Sequence, residues 1–246
     1  MRIQPRHVPW LFLLVATPLC TAAGYFAKLP LLLPLLQILP AYPLLVLDLR
    51  ERRLASAILK MLCWAFLMAG TVEVLALYAP AAGEASVLHG AAYRNEMIAW
   101  VRTGVGKESS WRQFLPEHAV HLSLFVILSL ASAGLLSLLL GAGLMNYMSF
   151  YVGSLLGIAR APGRVLLAGW PPWAILRVAS FVILGVVLAG PGLQRLGVAP
   201  FEWEGKRRWI LLAAAGLLLD VLLKIALAAR WSVLLRSALY PLGGGF

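Results

Sequence analysis

The run that follows His121 limits this chain more than any other feature: from Leu122 to Gly143 it has no charged residue, and its only polar side chains are serines. A hydrocarbon core about 30 Å thick is crossed by roughly 20 apolar residues in a helix, since lipid offers no partners to an unpaired backbone group. Comparable apolar runs recur from Val8 to the last third of the chain. The fold class expected is therefore an all-α, polytopic transmembrane bundle of six or seven spans. A membrane barrel would need short segments of alternating polarity, which these runs are not.

Composition agrees, with 61% hydrophobic and only 13% charged residues among 246 and a mean hydropathy of +0.86, where a soluble domain carries about 25% charged residues. The formal charge of +11 does not point to nucleic acid. The Lys and Arg residues stand in short clusters beside apolar runs, where they act as topology signals and contacts for anionic lipid headgroups. Cys20 and Cys63 fall inside spans without CxxC or zinc spacing, which argues against disulfide or thiol chemistry. One integral membrane domain over residues 1–246 accommodates the whole chain.

Taken in order, Arg2 and Arg6 before the first apolar run place the N-terminus in the cytoplasm, and the inner membrane of a bacterium is the location expected. Thr21 to Ala23 could pass for a signal-peptide cleavage site, but apolar character resumes after Lys28, so an uncleaved span is expected. The second span, Leu29 to Leu47, holds Pro30, Pro34, Pro40, Pro43 and Gln37, which predicts a bent or broken helix. The charged run Asp48 to Arg53 then reads as a cytoplasmic loop, followed by a third span over Leu54 to Tyr78.

Residues 80–115 form the one long polar connection, placed outside the cytoplasm. Within it Tyr93, Met97, Trp100 and Val101 share a helical face, predicting an amphipathic interfacial helix anchored by Trp100 and Trp111. Pro116 suits the first turn of a further helix. Along that helix Glu117, His121, Phe125, Ser129, Ala133, Ser137 and Gly141 make one ridge that turns small with depth, which would let a neighbour approach closely. A turn at Gly141 to Gly143 would leave a short piece, Leu144 to Ile158, whose Ser149, Gly153 and Gly157 could dock a partner subunit. The segment GWPPW, Gly169 to Trp173, starts another span in which Arg177 snorkels without a role. In the last span, Trp209 to Ala229, Asp220 and Lys224 lie at pairing distance from each other. Residues 231–246 read as an interfacial tail.

Candidate chemistry gathers on the outer side. Glu117, His118 and His121 are a fair ligand set for a divalent metal such as zinc, and Glu73 or Glu96 could serve as general base. The most specific expectation is thus a membrane-embedded metal-dependent hydrolase acting at the extracytoplasmic face, with a transporter or permease subunit and an assembly subunit as alternatives. No known motif supports it. EHAVH, Glu117 to His121, is not HExxH, and the FxxxH spelled by Phe114 to His118 lacks the paired glutamates that accompany it in membrane proteases.

Overall fold

The computed structural model describes residues 7–240, so Arg2, Arg6 and the glycine-rich end of the tail lie outside the described residues. Its elements are α1 Val8–Phe26, α2 Leu32–Arg50, α3 Leu54–Tyr78, α4 Pro80–Ser86, α5 Gly90–Thr103, a 3-10 turn Lys107–Ser109, α6 Trp111–Ala131, α7 Leu135–Ile158, α8 Pro162–Ala168, α9 Pro172–Arg195 and α10 Arg207–Leu239. No strand occurs among the described residues. Seven helices, α1 to α3, α6, α7, α9 and α10, are long and apolar enough to cross a membrane. The chain is thus an all-α polytopic bundle with seven candidate spans. Alternating crossings put α4, α5, the 3-10 turn and α8 at one face, where α5, α8 and the turn pack on α10.

Where the central apolar run turns back is the first correction. The chain reverses at Ser132 to Gly134, and Gly141 to Gly143 lie inside α7. The Gly134 N–H reaches the Ser129 carbonyl at 3.0 Å, and Ala133 and Gly134 both take positive φ, +52° and +86°. That is a glycine-assisted helix stop, in which the left-handed residues satisfy carbonyls left free at the helix end. The predicted ridge is therefore split, with Glu117, His121, Phe125 and Ser129 on α6 and Ser137 and Gly141 on α7. The turn also packs tightly, since a Cβ at Gly192 of α9 would come within 2.7 Å of Ala133 Cα. Helix α6 itself begins at Trp111, five residues before Pro116, which sits inside it.

Other boundaries moved as well. Helix α2 is unbroken through Pro40 and Pro43. The expected break is absent, and the proline-rich stretch is tied to α3 by the Trp64 indole N–H, which donates to the Gln37 carbonyl at 2.8 Å. The connection over 80–115 holds two helices and a turn, and Trp100 is 2% exposed, so it packs in the protein core where a membrane anchor was expected. The start of the expected tail, from Trp231 to Leu239, is the last part of α10. The stripe on α7 is used within the chain: Ser149 and Gly153 are buried, and a Cβ at Gly153 would overlap the Glu73 carbonyl of α3.

Two buried polar links fasten the bundle. Asp48 on α2 takes Lys60 Nζ of α3 at 2.8 and 2.9 Å, with Ser56 Oγ and Arg53 beside it at 3.0 and 3.1 Å. Gln37 of α2 and Asn146 of α7 exchange two amide hydrogen bonds, both 2.8 Å. Neither amide touches solvent. Gln37→Leu strands the Asn146 amide, and thermal unfolding in detergent should report a loss of about 1–3 kcal/mol; an unchanged melting curve would mean that Asn146 has found other partners.

Candidate functional site

Helices α2, α3, α5, α6, α7, α9 and α10 line a partly open cavity of about 860 Å³, at the upper end of the roughly 300–1,000 Å³ typical of small-molecule sites. Along α9 its wall runs from Ala174 to Val186, which is about 18 Å of helix at 1.5 Å per residue. The deep part is apolar, walled by Leu45, Met61, Trp64, Phe125, Phe181 and Val186. The other end is charged, with Glu96, Lys107, Glu108, Glu117, Arg177 and Asp220 on the wall beside His118 and His121. Small residues on α7 and α9, Ser137, Gly141 and Gly185, keep the space open; at Gly141 an added Cβ meets only the Phe125 ring, at 3.9 Å.

The charged end is a set of ion pairs contributed by separate elements. Arg177 of α9 grips Asp220 of α10 through two hydrogen bonds of 2.8 Å each, and Asp220 is 1% exposed. Lys224, one turn further along α10 and equally buried, pairs with Glu108 of the 3-10 turn at 2.9 Å and lies 4.4 Å from the centre of the Phe114 ring. Two expectations are corrected here. Asp220 and Lys224 do not pair with each other, because each has a partner on another element. Arg177 does not snorkel freely, because a carboxylate across the helix interface holds its guanidinium in bidentate geometry. Neither Glu108 nor the Arg177 pairing was marked by any local pattern in the sequence.

Glu117, His118 and His121 all reach the cavity wall, as does Glu96. Glu96 and Glu117 share Lys107, at 3.5 and 3.3 Å, in a solvent-exposed cluster, which contributes little to stability. Glu73 is not among the wall residues; its carboxylate accepts from the Trp170 indole, and Trp170 forms the wall in its place. His118 Nδ1 is 2.9 Å from the Phe114 carbonyl. A carbonyl only accepts, so Nδ1 carries a hydrogen, and in the neutral ring Nε2 then keeps its lone pair. That lone pair is buried and has no hydrogen-bond partner among the described residues; Asp220 Oδ2 is its nearest charged neighbour at 3.9 Å. No group of three His, Cys, Asp or Glu side chains able to hold a metal ion occurs among the described residues. The three proposed ligands fall short because Glu117 turns to Lys107 while the His118 ring is fixed toward α10.

Outside the spans, the hydrogen bond from Lys107 to Glu117 and the charges of Glu117 and Glu96 raise the Lys107 ammonium above its ordinary value, so it stays charged. Burial pushes the Tyr93 hydroxyl well up, with Glu108 adding to the effect. Tyr93 therefore remains a protonated donor, and it gives its hydrogen to Met148 Sδ at 3.6 Å. Taken together, the charged end holds cations already matched to carboxylates, and the deep end is lined mainly by apolar side chains.

No protein-family profile matches the chain, and no curated protein or solved structure shows significant similarity to it.

Proposed function

We propose that this integral membrane protein takes one amphipathic, lipid-like molecule into the cavity between α6, α7, α9 and α10, with its chain at the apolar depth and its head at the charged end. The observation that carries this reading is the cavity itself, about 860 Å³ and graded from wholly apolar to densely charged. Burying an apolar chain drives such binding at roughly 0.8 kcal/mol per methylene relative to water, and the competing bilayer offers the same apolar environment. Selectivity then has to come from the head. On the orientation that the basic residues predict, the charged end faces the extracytoplasmic side of a bacterial inner membrane.

The transporter expectation keeps part of its basis: Asp220 stands on the cavity wall, while Lys224 does not and α2 is unbroken. The metal-dependent hydrolase is left with His118 and His121 as wall residues on neighbouring turns, without a third donor. Metal analysis of the purified protein separates the two, since one tightly held divalent ion per chain would return the histidines to metal ligation.

The direct test fills the cavity. Gly141→Leu enters open space, so the fold should survive with an unchanged melting temperature. Lipid extraction and mass spectrometry should recover about one bound amphiphile per native chain and, in the variant, a loss of at least roughly tenfold, which is 1.4 kcal/mol. A filled variant that keeps the same molecule at the same occupancy would end this reading.

A further inference from the structure

We propose that the head accepted at the charged end of the cavity is an ammonium that donates N–H hydrogen bonds, and not a phosphate or carboxylate. The inference rests on the amphipathic-cavity reading and narrows the class of molecule it admits. Charge supplies the first argument. On the wall or ion-paired with it stand three cations, Lys107, Arg177 and Lys224, against four carboxylates, Glu96, Glu108, Glu117 and Asp220. Each cation already has a carboxylate within 3.5 Å, and the acids exceed the cations by one. An anionic head would have to displace a carboxylate from the exposed Lys107 cluster or from one of the two buried pairs, whereas a cationic head completes the balance.

Hydrogen bonding supplies the second argument, independent of the first. The His118 Nε2 lone pair and Asp220 Oδ2 stand 3.9 Å apart with no hydrogen between them, both acceptors and both belonging to residues of the cavity wall. A buried acceptor without a partner is costly; Nε2 is covered as it stands, so a donor seated at the wall beside His118 and Asp220 relieves that cost once the covering side chains give way. Two donors of the wall are already used, since Tyr93 bonds to Met148 and Trp170 to Glu73, and no donor of the described residues reaches His118 Nε2. A primary ammonium brings three.

Three probes with one alkyl chain separate charge from donation: hexadecylamine, hexadecyltrimethylammonium, which has the charge without N–H, and hexadecyl phosphate. Binding is followed by native mass spectrometry on the full chain in nanodiscs of phosphatidylcholine, with Gly141→Leu giving the background due to the bilayer. Above that background, hexadecylamine should bind at least roughly tenfold more tightly than hexadecyl phosphate and several-fold more tightly than the trimethylated probe. His118→Phe, which removes the lone pair, should erase the preference for the amine over its trimethylated form while keeping the preference for cations. A phosphate that binds as well as the amine overturns the proposal, and equal binding of the two cations removes its hydrogen-bonding half. If no probe binds above the Gly141→Leu background, the cavity reading fails as well, and the two failures are told apart. Should His118→Phe fold poorly, the probe series on the unaltered protein decides alone.

Discussion

Arg177→Met is expected to cost about 3–5 kcal/mol, because it leaves Asp220 as a buried carboxylate without its counter-charge. Asp220 is 1% exposed and receives both its short hydrogen bonds from that one guanidinium. Nothing else nearby replaces it, since His118 Nε2 is 3.9 Å away and Lys224 is committed to Glu108. The partner substitution should be milder. Asp220→Asn keeps an oxygen acceptor for Arg177, and the guanidinium, with 26% of its side chain exposed, can turn toward the cavity mouth. Thermal unfolding of both variants in the same detergent gives the comparison, and the double variant Arg177→Met with Asp220→Leu should recover most of the loss, as buried pairs replaced by apolar groups often do. Equal losses for the two single variants would show that the pair's position matters less than its presence.

Glu108→Gln should be the second large effect, close to 3 kcal/mol at the low end of the range for breaking a buried pair. It leaves Lys224, whose side chain is 1% exposed and cannot turn to water as Arg177 can, with an amide oxygen in place of a counter-charge and only the Phe114 ring 4.4 Å away to stabilise the charge. Lys224→Met should cost much less. Its stem fits among the same apolar neighbours, and Glu108, 22% exposed, can reach water. Glu108 also ties the 3-10 turn to α10, a turn held besides by Trp100 donating to Ser109 at 2.8 Å, by Ser109 donating to the Gly104 carbonyl and by Lys107 with Glu96 and Glu117. Hydrogen exchange over Lys107 to Ser110 should therefore rise in Glu108→Gln. Protection that stays at its native level there would mean that the ion pair does not hold the turn.

How much of this was legible beforehand differs by kind of feature. The third span, Leu54 to Tyr78, was bounded correctly, and the face made by Tyr93, Met97, Trp100 and Val101 was read as one face, because both follow from apolar length and helical period. Its destination was misread. Period tells which residues point the same way, and does not tell whether lipid or another helix lies opposite; here α7 and α10 pack against α5, and Trp100 is buried. The turn at Ser132 to Gly134 was missed for a related reason, since the two small-residue clusters in one apolar run, Ala131 to Gly134 and Gly141 to Gly143, look alike until packing selects the one that meets Gly192.

By itself the sequence determined the medium and the class: apolar runs of bilayer length admit only helices when the backbone must satisfy its own hydrogen bonds. It also placed Glu96, Glu117, His118 and His121 together, because a loop and the helix that follows it keep neighbours in sequence near in space. Only the tertiary structure decided the pairs. Arg177 with Asp220 and Lys224 with Glu108 join residues 43 and 116 positions apart, and the nearer choice, Asp220 with Lys224 on successive turns, lost to carboxylate geometry across a helix interface. Charges in a low-dielectric bundle are matched by whichever partner the packing brings within hydrogen-bonding reach, and no local pattern records which helices will be neighbours. The cavity belongs to the same category, since its glycines make room only once α6, α7, α9 and α10 stand around them.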